Sequence, residues 1–286
     1  MGHGTIDHTR LLGRQDGNGL PPQSAPRPYY HPVRSLAGTV LTEAAPADHL
    51  HHLGLSIAFS DLNGTNFWGG STYTAARGPV ILPNHGRQVT QAWTEGNGQE
   101  SGTVHWQSEH GKVLAEERRS IECFAHPAPG TWSLSLTSVM IPAGDVGSLE
   151  VSSSAVKGRV GAGYGGIFWR FPADFANPVV FTAAGAGPEA AHGSRSSWLA
   201  VSGSVGGAAV AVVMAQGEPL RPWFVRTEGY VGAGPAVAWS TKAVADAGNP
   251  LVQSLHAVIH DGPVTSAAQA LQLLENHPGI KPDRTP

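Results

Sequence analysis

The sequence predicts an all-β protein, a large antiparallel β-sandwich with one short C-terminal helix. Three observations lead there. Apolar–polar alternation recurs in short runs, and Trp132-Ser-Leu-Ser-Leu-Thr-Ser-Val139 keeps strict period two. Turn formers separate the runs: the 286 residues include 37 glycines and 22 prolines. No strand–helix repetition is present, which disfavours a Rossmann fold or an α/β barrel.

Taken in order, residues 1–26 are rich in Gly, Pro and polar side chains and read as a loosely held arm. A single domain spans 27–280, and 281–286 form a tail. Gly38–Thr42 and Leu53–Phe59 read as strands, with Asp61-Leu-Asn-Gly64 as a turn centred on Asn-Gly. Gly102–Trp106 and Val113–Phe124, joined through Glu109-His-Gly-Lys112, read as a hairpin. Strands continue at Leu149–Ser153, Val179–Thr182, Trp198–Ser202, Ala208–Met214, Trp223–Arg226 and Val252–His260. Only Ala267–Asn276 carries a helical rhythm, with Thr265 or Ser266 as its cap.

Composition narrows the function classes. Lys+Arg at 18 against Asp+Glu at 21 gives a formal charge of −3, which offers no basic footprint for nucleic acid and no polybasic patch for a membrane. No apolar run is long enough to span a bilayer, and the N-terminal residues lack the apolar core of a secretory signal. The single cysteine, Cys123, cannot form an intrachain disulfide and sits in an alternating run, as a buried structural thiol would. The expectation is a soluble, cytoplasmic protein acting on a small molecule. An open edge strand would allow a homodimer.

The chemistry concentrates between Arg27 and Trp68. Asp48-His49-Leu-His51-His52 is the densest cluster. In an extended segment His49 and His51 would share one face and His52 the other. Two imidazoles and a carboxylate suit acid–base work, or a divalent metal such as zinc, iron or manganese, with His31, His49 and His51 as the ligand set. The spacing matches no strong metal motif, and histidines holding loop carbonyls would explain it equally. His31 is held extended by Pro32, and Arg34 suits an anion or a buried acid. Asp61, Asn63 and Asn66 border a turn beside Trp68, where amides and an aromatic face could hold a sugar or simply hold the turn.

A second set comprises His85, Arg87, His105 and the run Glu116 to Arg119. On a strand Glu117 and Arg119 share a face, which offers Glu117 as a general base tuned by neighbouring histidines. Gly163-Tyr-Gly-Gly-Ile-Phe-Trp-Arg170 is aromatic and flexible, with Arg170 aimed either into a pocket or at a core acid. Pro219-Leu-Arg-Pro-Trp-Phe-Val-Arg226 is equally ambiguous, and Gly-x-Ser-x-Gly is absent, which disfavours a serine triad.

The residues Ala47-Asp48-His49, His51-His52-Leu-Gly54, Asp61-Leu-Asn-Gly64 and Asn66-Phe-Trp68 resemble the DUF6807 family, also labelled methane oxygenase PmoA. Leu114-Ala-Glu-Glu117-Arg118, Gly165-Gly-Ile-Phe-Trp-Arg170 and His256-Ala-Val-Ile-His-Asp-Gly262 extend the likeness across about residues 27–262. The resemblance implies a β-sandwich, with the galactose-mutarotase-like supersandwich as one form, and a connection to sugar catabolism. The oxygenase label is not taken as function, because a membrane monooxygenase subunit needs spanning segments.

Two classes of function remain open. One is an enzyme acting on a carbohydrate-like, polyoxygenated molecule by isomerisation, elimination or hydrolysis. It would use His49, His51, Glu117 and Asp61 for proton transfer, with His31, Arg34, His52, Asn63, Asn66, Trp68, His105 and Arg170 as substrate contacts. A metal-assisted version would use the histidines. The other class is a non-catalytic carbohydrate-binding or scaffold protein. Convergence of at least two histidines and a carboxylate favours the enzyme; a flat Trp platform without it favours binding.

Overall fold

A computed structural model describes residues 6–280; the tail expected at 281–286 lies outside the described residues. Antiparallel strands form several sheets, with a short helix at the C-terminal end, Ala267–Leu274. The first large sheet has six strands in the order Leu12–Gln15, Tyr29–Val33, Leu55–Ala58, Gly166–Arg170, Gly232–Pro235 and Trp223–Arg226. The second has nine, in the order Gly185–Ala186, Ala176–Thr182, Trp198–Val205, Ala208–Gln216, Leu251–His260, Thr131–Pro142, Val113–Ala125, Gln99–Gln107 and Arg87–Gly96. No helix among the described residues is long and apolar enough to cross a membrane.

One apolar cluster joins the two sheets. Leu134, Leu136, Ile121, Leu255 and Ile259 come from the nine-stranded sheet, and Leu55, Ile57, Ile167, Trp169 and Trp223 from the six-stranded one. Each set follows the period-two rule, so the residues between them face outward. Hydrogen bonds also cross the interface: Gln88 Nε2 donates to the Ile57 carbonyl at 2.7 Å and Trp132 Nε1 to the Arg34 carbonyl at 2.9 Å. Cys123 is buried and unpaired, and burial pushes its thiol pKa up.

Thr131–Pro142 lies between Val113–Ala125 and Leu251–His260, with Leu134 opposite Cys123 on one side and Ala257 on the other. The expected hairpin is present, with Val104 opposite Glu117. On that strand Glu117 and Arg119 point inward and Glu116 and Arg118 outward, as alternation requires. Glu117 is fully buried. Arg119 donates to its two oxygens at 2.9 and 2.7 Å, and Trp106 Nε1 donates at 2.7 Å. Arg119 also donates to Gln88 Oε1 at 2.8 Å and to the Pro28 carbonyl at 3.3 Å. A buried ion pair survives desolvation only when its remaining polar atoms are also bonded, and here they are.

The outer face of the nine-stranded sheet is covered by the C-terminal helix. Ala270 and Leu274 pack on Trp198, Val213 and Val258, and the Ser266 side chain accepts from the Gln269 amide at the N-terminus. Around the end of the helix lie His126, His256 and His260, with His277 in the chain that follows it. His256 Nδ1 meets Ser135 Oγ at 2.8 Å, and His260 Nδ1 meets Thr131 Oγ1 at 2.8 Å. His277 Nε2 donates to the Leu134 carbonyl at 2.9 Å, and His126 Nε2 to the Leu273 carbonyl at 2.9 Å.

Two local expectations change. Gly38–Thr42 is not a strand: Val40 makes one isolated bridge, to Arg34, because Gly38 turns the chain at φ +93°. Residues 6–26, expected as a loose arm, include the strand Leu12–Gln15, which pairs with Tyr29–Val33. Leu11 and Leu12 enter the core, which outweighs the polar composition around them.

Candidate functional site

A cleft of about 500 Å³ opens on the outer face of the six-stranded sheet. Its floor follows from strand alternation. Trp223 and Val225 face the core, so Phe224 faces out; Ile167 and Trp169 face in, so Phe168 faces out and packs with Trp68, Phe224 and Ala58. Three loops wall it: one carries His49, His51 and His52, one carries Trp68 to Ser71, and one carries Arg159 to Tyr164. The turn after Trp223–Arg226 adds Glu228, Gly229 and Tyr230.

The three histidines converge. His49 and His52 stack with ring centroids 4.6 Å apart and planes 21° from parallel; His51 lies 4.8 Å from His52 and 5.8 Å from His49. Tyr230 meets His52 and His49 edge-on at 4.9 and 5.2 Å. The expectation that His52 faces away from its neighbours is corrected. It assumed an extended segment, but the chain turns here, with the His49 amide donating to the Pro46 carbonyl and the His52 amide to the His49 carbonyl.

The backbone around the cluster is tightly fitted. A side chain on Gly70 (φ +66°) would sit 2.9 Å from the His51 ring, and one on Gly69 (φ +95°) 2.6 Å from His51 Cβ. Asn66 is buried and shapes the same loop: its Oδ1 accepts from the Trp68 and Gly69 amides, both at 2.9 Å. Behind the loops lies Arg27, 2% exposed. Its guanidinium donates to the carbonyls of His51 at 2.8 Å, Trp68 at 3.2 Å, Ser24 at 3.2 Å and Ala25 at 3.1 Å, and to Ser56 Oγ at 3.2 Å. Burial pushes its pKa down to about 9, which leaves it charged at neutral pH.

The rings differ in what they can do. His49 Nδ1 lies 2.8 Å from Asp48 Oδ2. That bond holds the Asp48 carboxyl below its ordinary pKa, so the carboxylate accepts from Nδ1 and Nε2 is left outside the pair. Burial, with Arg27 adding its charge, pushes His51 down to about 4. Burial together with His51, His49 and Arg170 pushes His52 down to about 2. Both are neutral hydrogen-bonding groups at physiological pH. His52 Nδ1 is buried and has no hydrogen-bond partner among the described residues.

The remaining sequence candidates separate. Arg170 stands behind the cleft: its guanidinium lies 4.9 Å from the Tyr230 ring, donates to the Phe171 carbonyl and approaches Glu43 at 3.3 Å. Glu117 is not among the cleft residues, and both its oxygens are engaged in the core. Asp61 pairs with Lys157 at 2.6 Å and caps its own turn through the Gly64 amide. Asn63 clamps Ser148 and Glu150. His31 bonds Thr42 Oγ1 at 3.0 Å, Arg34 bonds the Gly38 carbonyl, and His105 sits on the nine-stranded sheet opposite Glu116. These residues serve turns and strand contacts rather than the cleft.

The proposed metal set does not fit. His31 bonds Thr42 and makes no ring contact with His49 or His51 among the described residues. No group of three or more His, Cys, Asp or Glu among the described residues is arranged to hold an ion.

Sequence reasoning did not single out Arg159, Tyr164, Phe224, Arg226, Glu228 or Tyr230 as site residues. Tyr164 and Phe224 fall in the two aromatic runs around Gly163–Arg170 and Pro219–Arg226, which were the available signal. The family model described as "Family of unknown function (DUF6807)" matches residues 4–275. No curated protein matches the chain.

Proposed function

The chain belongs to the DUF6807 family, whose description names no reaction, and from the cleft itself we propose an enzyme that moves protons on a carbohydrate-like, polyoxygenated small molecule. The observation that carries this reading is the Asp48–His49 pair set against two neutral histidines in an aromatic cleft. Asp48 fixes the His49 tautomer, leaving Nε2 as the proton acceptor and, once protonated, the donor. His51 and His52 supply hydrogen bonds to substrate oxygens without adding charge. Trp68, Tyr164, Phe224 and Tyr230 offer ring faces to C–H surfaces. The two large sheets around one core support the β-sandwich assignment, and the family resemblance favours its galactose-mutarotase-like form.

The test is proton NMR of a panel of aldoses, ketoses and sugar acids incubated with the full chain in D2O. One spectrum reads deuterium uptake, isomers, elimination products and hydrolysis. Turnover of a panel member that His49→Gln abolishes, with the variant still binding it, supports the reading. Binding without chemical change in the unaltered protein would replace it with a non-catalytic sugar-binding role.

A further inference from the structure

The rim of the cleft carries two arginines that the proton chemistry does not use. Arg159 and Arg226 both line it and both are exposed. Neither guanidinium has an ion pair or a hydrogen bond to a protein acceptor among the described residues; Arg226 only rests over the Phe224 ring, 5.6 Å from its centroid. Glu228 lines the same cleft, and Glu189 shares the neighbouring hollow with Arg226, yet neither reaches ion-pair distance. Exposed arginines on a protein surface are commonly left solvated, so the pair alone would mean little.

Their placement is more specific. The loop bearing Arg159 and the strand bearing Arg226 are tied together by one side chain, His192. Its Nε2 donates to the Gly161 carbonyl at 3.0 Å, and its Nδ1 accepts from the Val225 amide at 3.2 Å. The ring also packs on Phe224 and Trp239, at 5.4 and 4.9 Å. A neutral histidine with both nitrogens used fixes the two segments in one geometry. Behind the histidine wall lies a third guanidinium, that of buried Arg27, which has five uncharged acceptors and no carboxylate partner among the described residues. In a chain whose formal charge is −3, this cleft is a local concentration of unneutralised guanidinium. Burial is the main cause of the depressed basicity of His51 and His52, and the charge of Arg27 adds to it in both.

We propose that the cleft takes an anionic polyol, with a carboxylate or phosphate ester seated on Arg159 and Arg226 and the hydroxylated end directed to the histidines. This rests on the proton-transfer reading for the role of the histidines and adds the substrate's charge. Two guanidinium forks suit either anion, because both present oxygen pairs to N–H donors. Rim charges also draw in an anion from solution, an effect that salt screens.

The experiment is calorimetric titration of the full chain with glucose, glucuronate and glucose 6-phosphate, and with acetate and inorganic phosphate, at low and high salt. The expected result is binding of glucuronate or glucose 6-phosphate at least about tenfold tighter than glucose. That advantage should shrink in high salt and vanish in R159Q/R226Q, and it should return at least partly in R226K. Both side chains are exposed, so thermal unfolding of these variants should match the parent protein. The preferred probe identifies the anion as carboxylate or phosphate. Equal affinity for glucose and its anionic derivatives overturns the inference and leaves the proton-transfer reading standing. Binding of acetate or phosphate without any sugar keeps the anion site and overturns the polyol assignment. No binding of any probe overturns the proposal.

Discussion

The molecule carries a histidine cluster on each of its two outer faces, and they have opposite characters. Around the end of the C-terminal helix, His126, His256, His260 and His277 each bond a carbonyl or a hydroxyl fixed by the fold. In the cleft, His49 is paired to an exposed acid and His52 Nδ1 has no hydrogen-bond partner among the described residues. Burial depresses the basicity of His51 and His52 in the cleft and of His256, His260 and His277 on the other face, so the titration of these rings does not distinguish the two sites. The assignment of hydrogen-bond partners does. A buried polar atom without a partner costs stability, and a fold tolerates it where a ligand can complete the bond.

The largest expected effect lies in neither cluster and sets the scale for both. Glu117→Gln strands Arg119 in the core and should cost about 3–5 kcal/mol in urea unfolding. If it costs little and instead removes activity, Glu117 belongs to the chemistry after all.

Next comes pH. His277, with a pKa pushed down to about 4, and His52, pushed down to about 2, stay neutral in the folded chain while the unfolded chain protonates below about pH 6.5. Stability should therefore fall as pH drops from about 6.5 toward 4, by up to about 1.4 kcal/mol per ring and pH unit, and be flat from these groups above 6.5. Urea midpoints measured across that window would show it; a midpoint that rises on acidification would contradict the neutral assignment.

The comparison is sharpest in a matched pair of variants. His277→Phe removes two bonded nitrogens, the one donating to the Leu134 carbonyl and the one accepting from the Gly279 amide, which should cost about 1–3 kcal/mol. His52→Phe removes an unsatisfied one in aromatic surroundings and should leave thermal stability unchanged or raised, with loss of turnover. Equal losses of stability would erase the distinction between the faces. The smallest effect is at the helix cap: Ser266→Ala should lower stability by about 1 kcal/mol and leave cleft binding untouched.

Much of the fold was legible because it is local. Period two placed Thr131–Pro142 and set Glu117 and Arg119 on one face, and a serine before an apolar rhythm placed the helix. The cleft was legible only in its first wall. His49, His51 and Trp68 lie within one short stretch, whereas Arg159, Arg226 and Tyr230 arrive from a loop, a strand and a turn far along the chain. Their meeting depends on sheet order, with Gly166–Arg170 seated beside Leu55–Ala58, which no local pattern encodes. His52 was assigned to the wrong side for a different reason: a turn stabilised by main-chain bonds replaced the expected alternation. Asp61 and Asn63 could not be separated into turn-holding and ligand-holding roles from sequence, because both roles use the same side chains; in the structure both bond neighbouring backbone.

The anchoring of Arg27 has a consequence for how the cleft moves. Its guanidinium is satisfied only when the carbonyls of Ser24, Ala25, His51 and Trp68 are all in place. Swinging the histidine loop outward alone would strip a bond from a buried charge, a step costing more than most surface fluctuations supply. The histidine wall therefore opens only together with a larger part of the protein, and its amides should exchange with solvent on the slow, cooperative timescale of the core rather than the fast one of a surface loop.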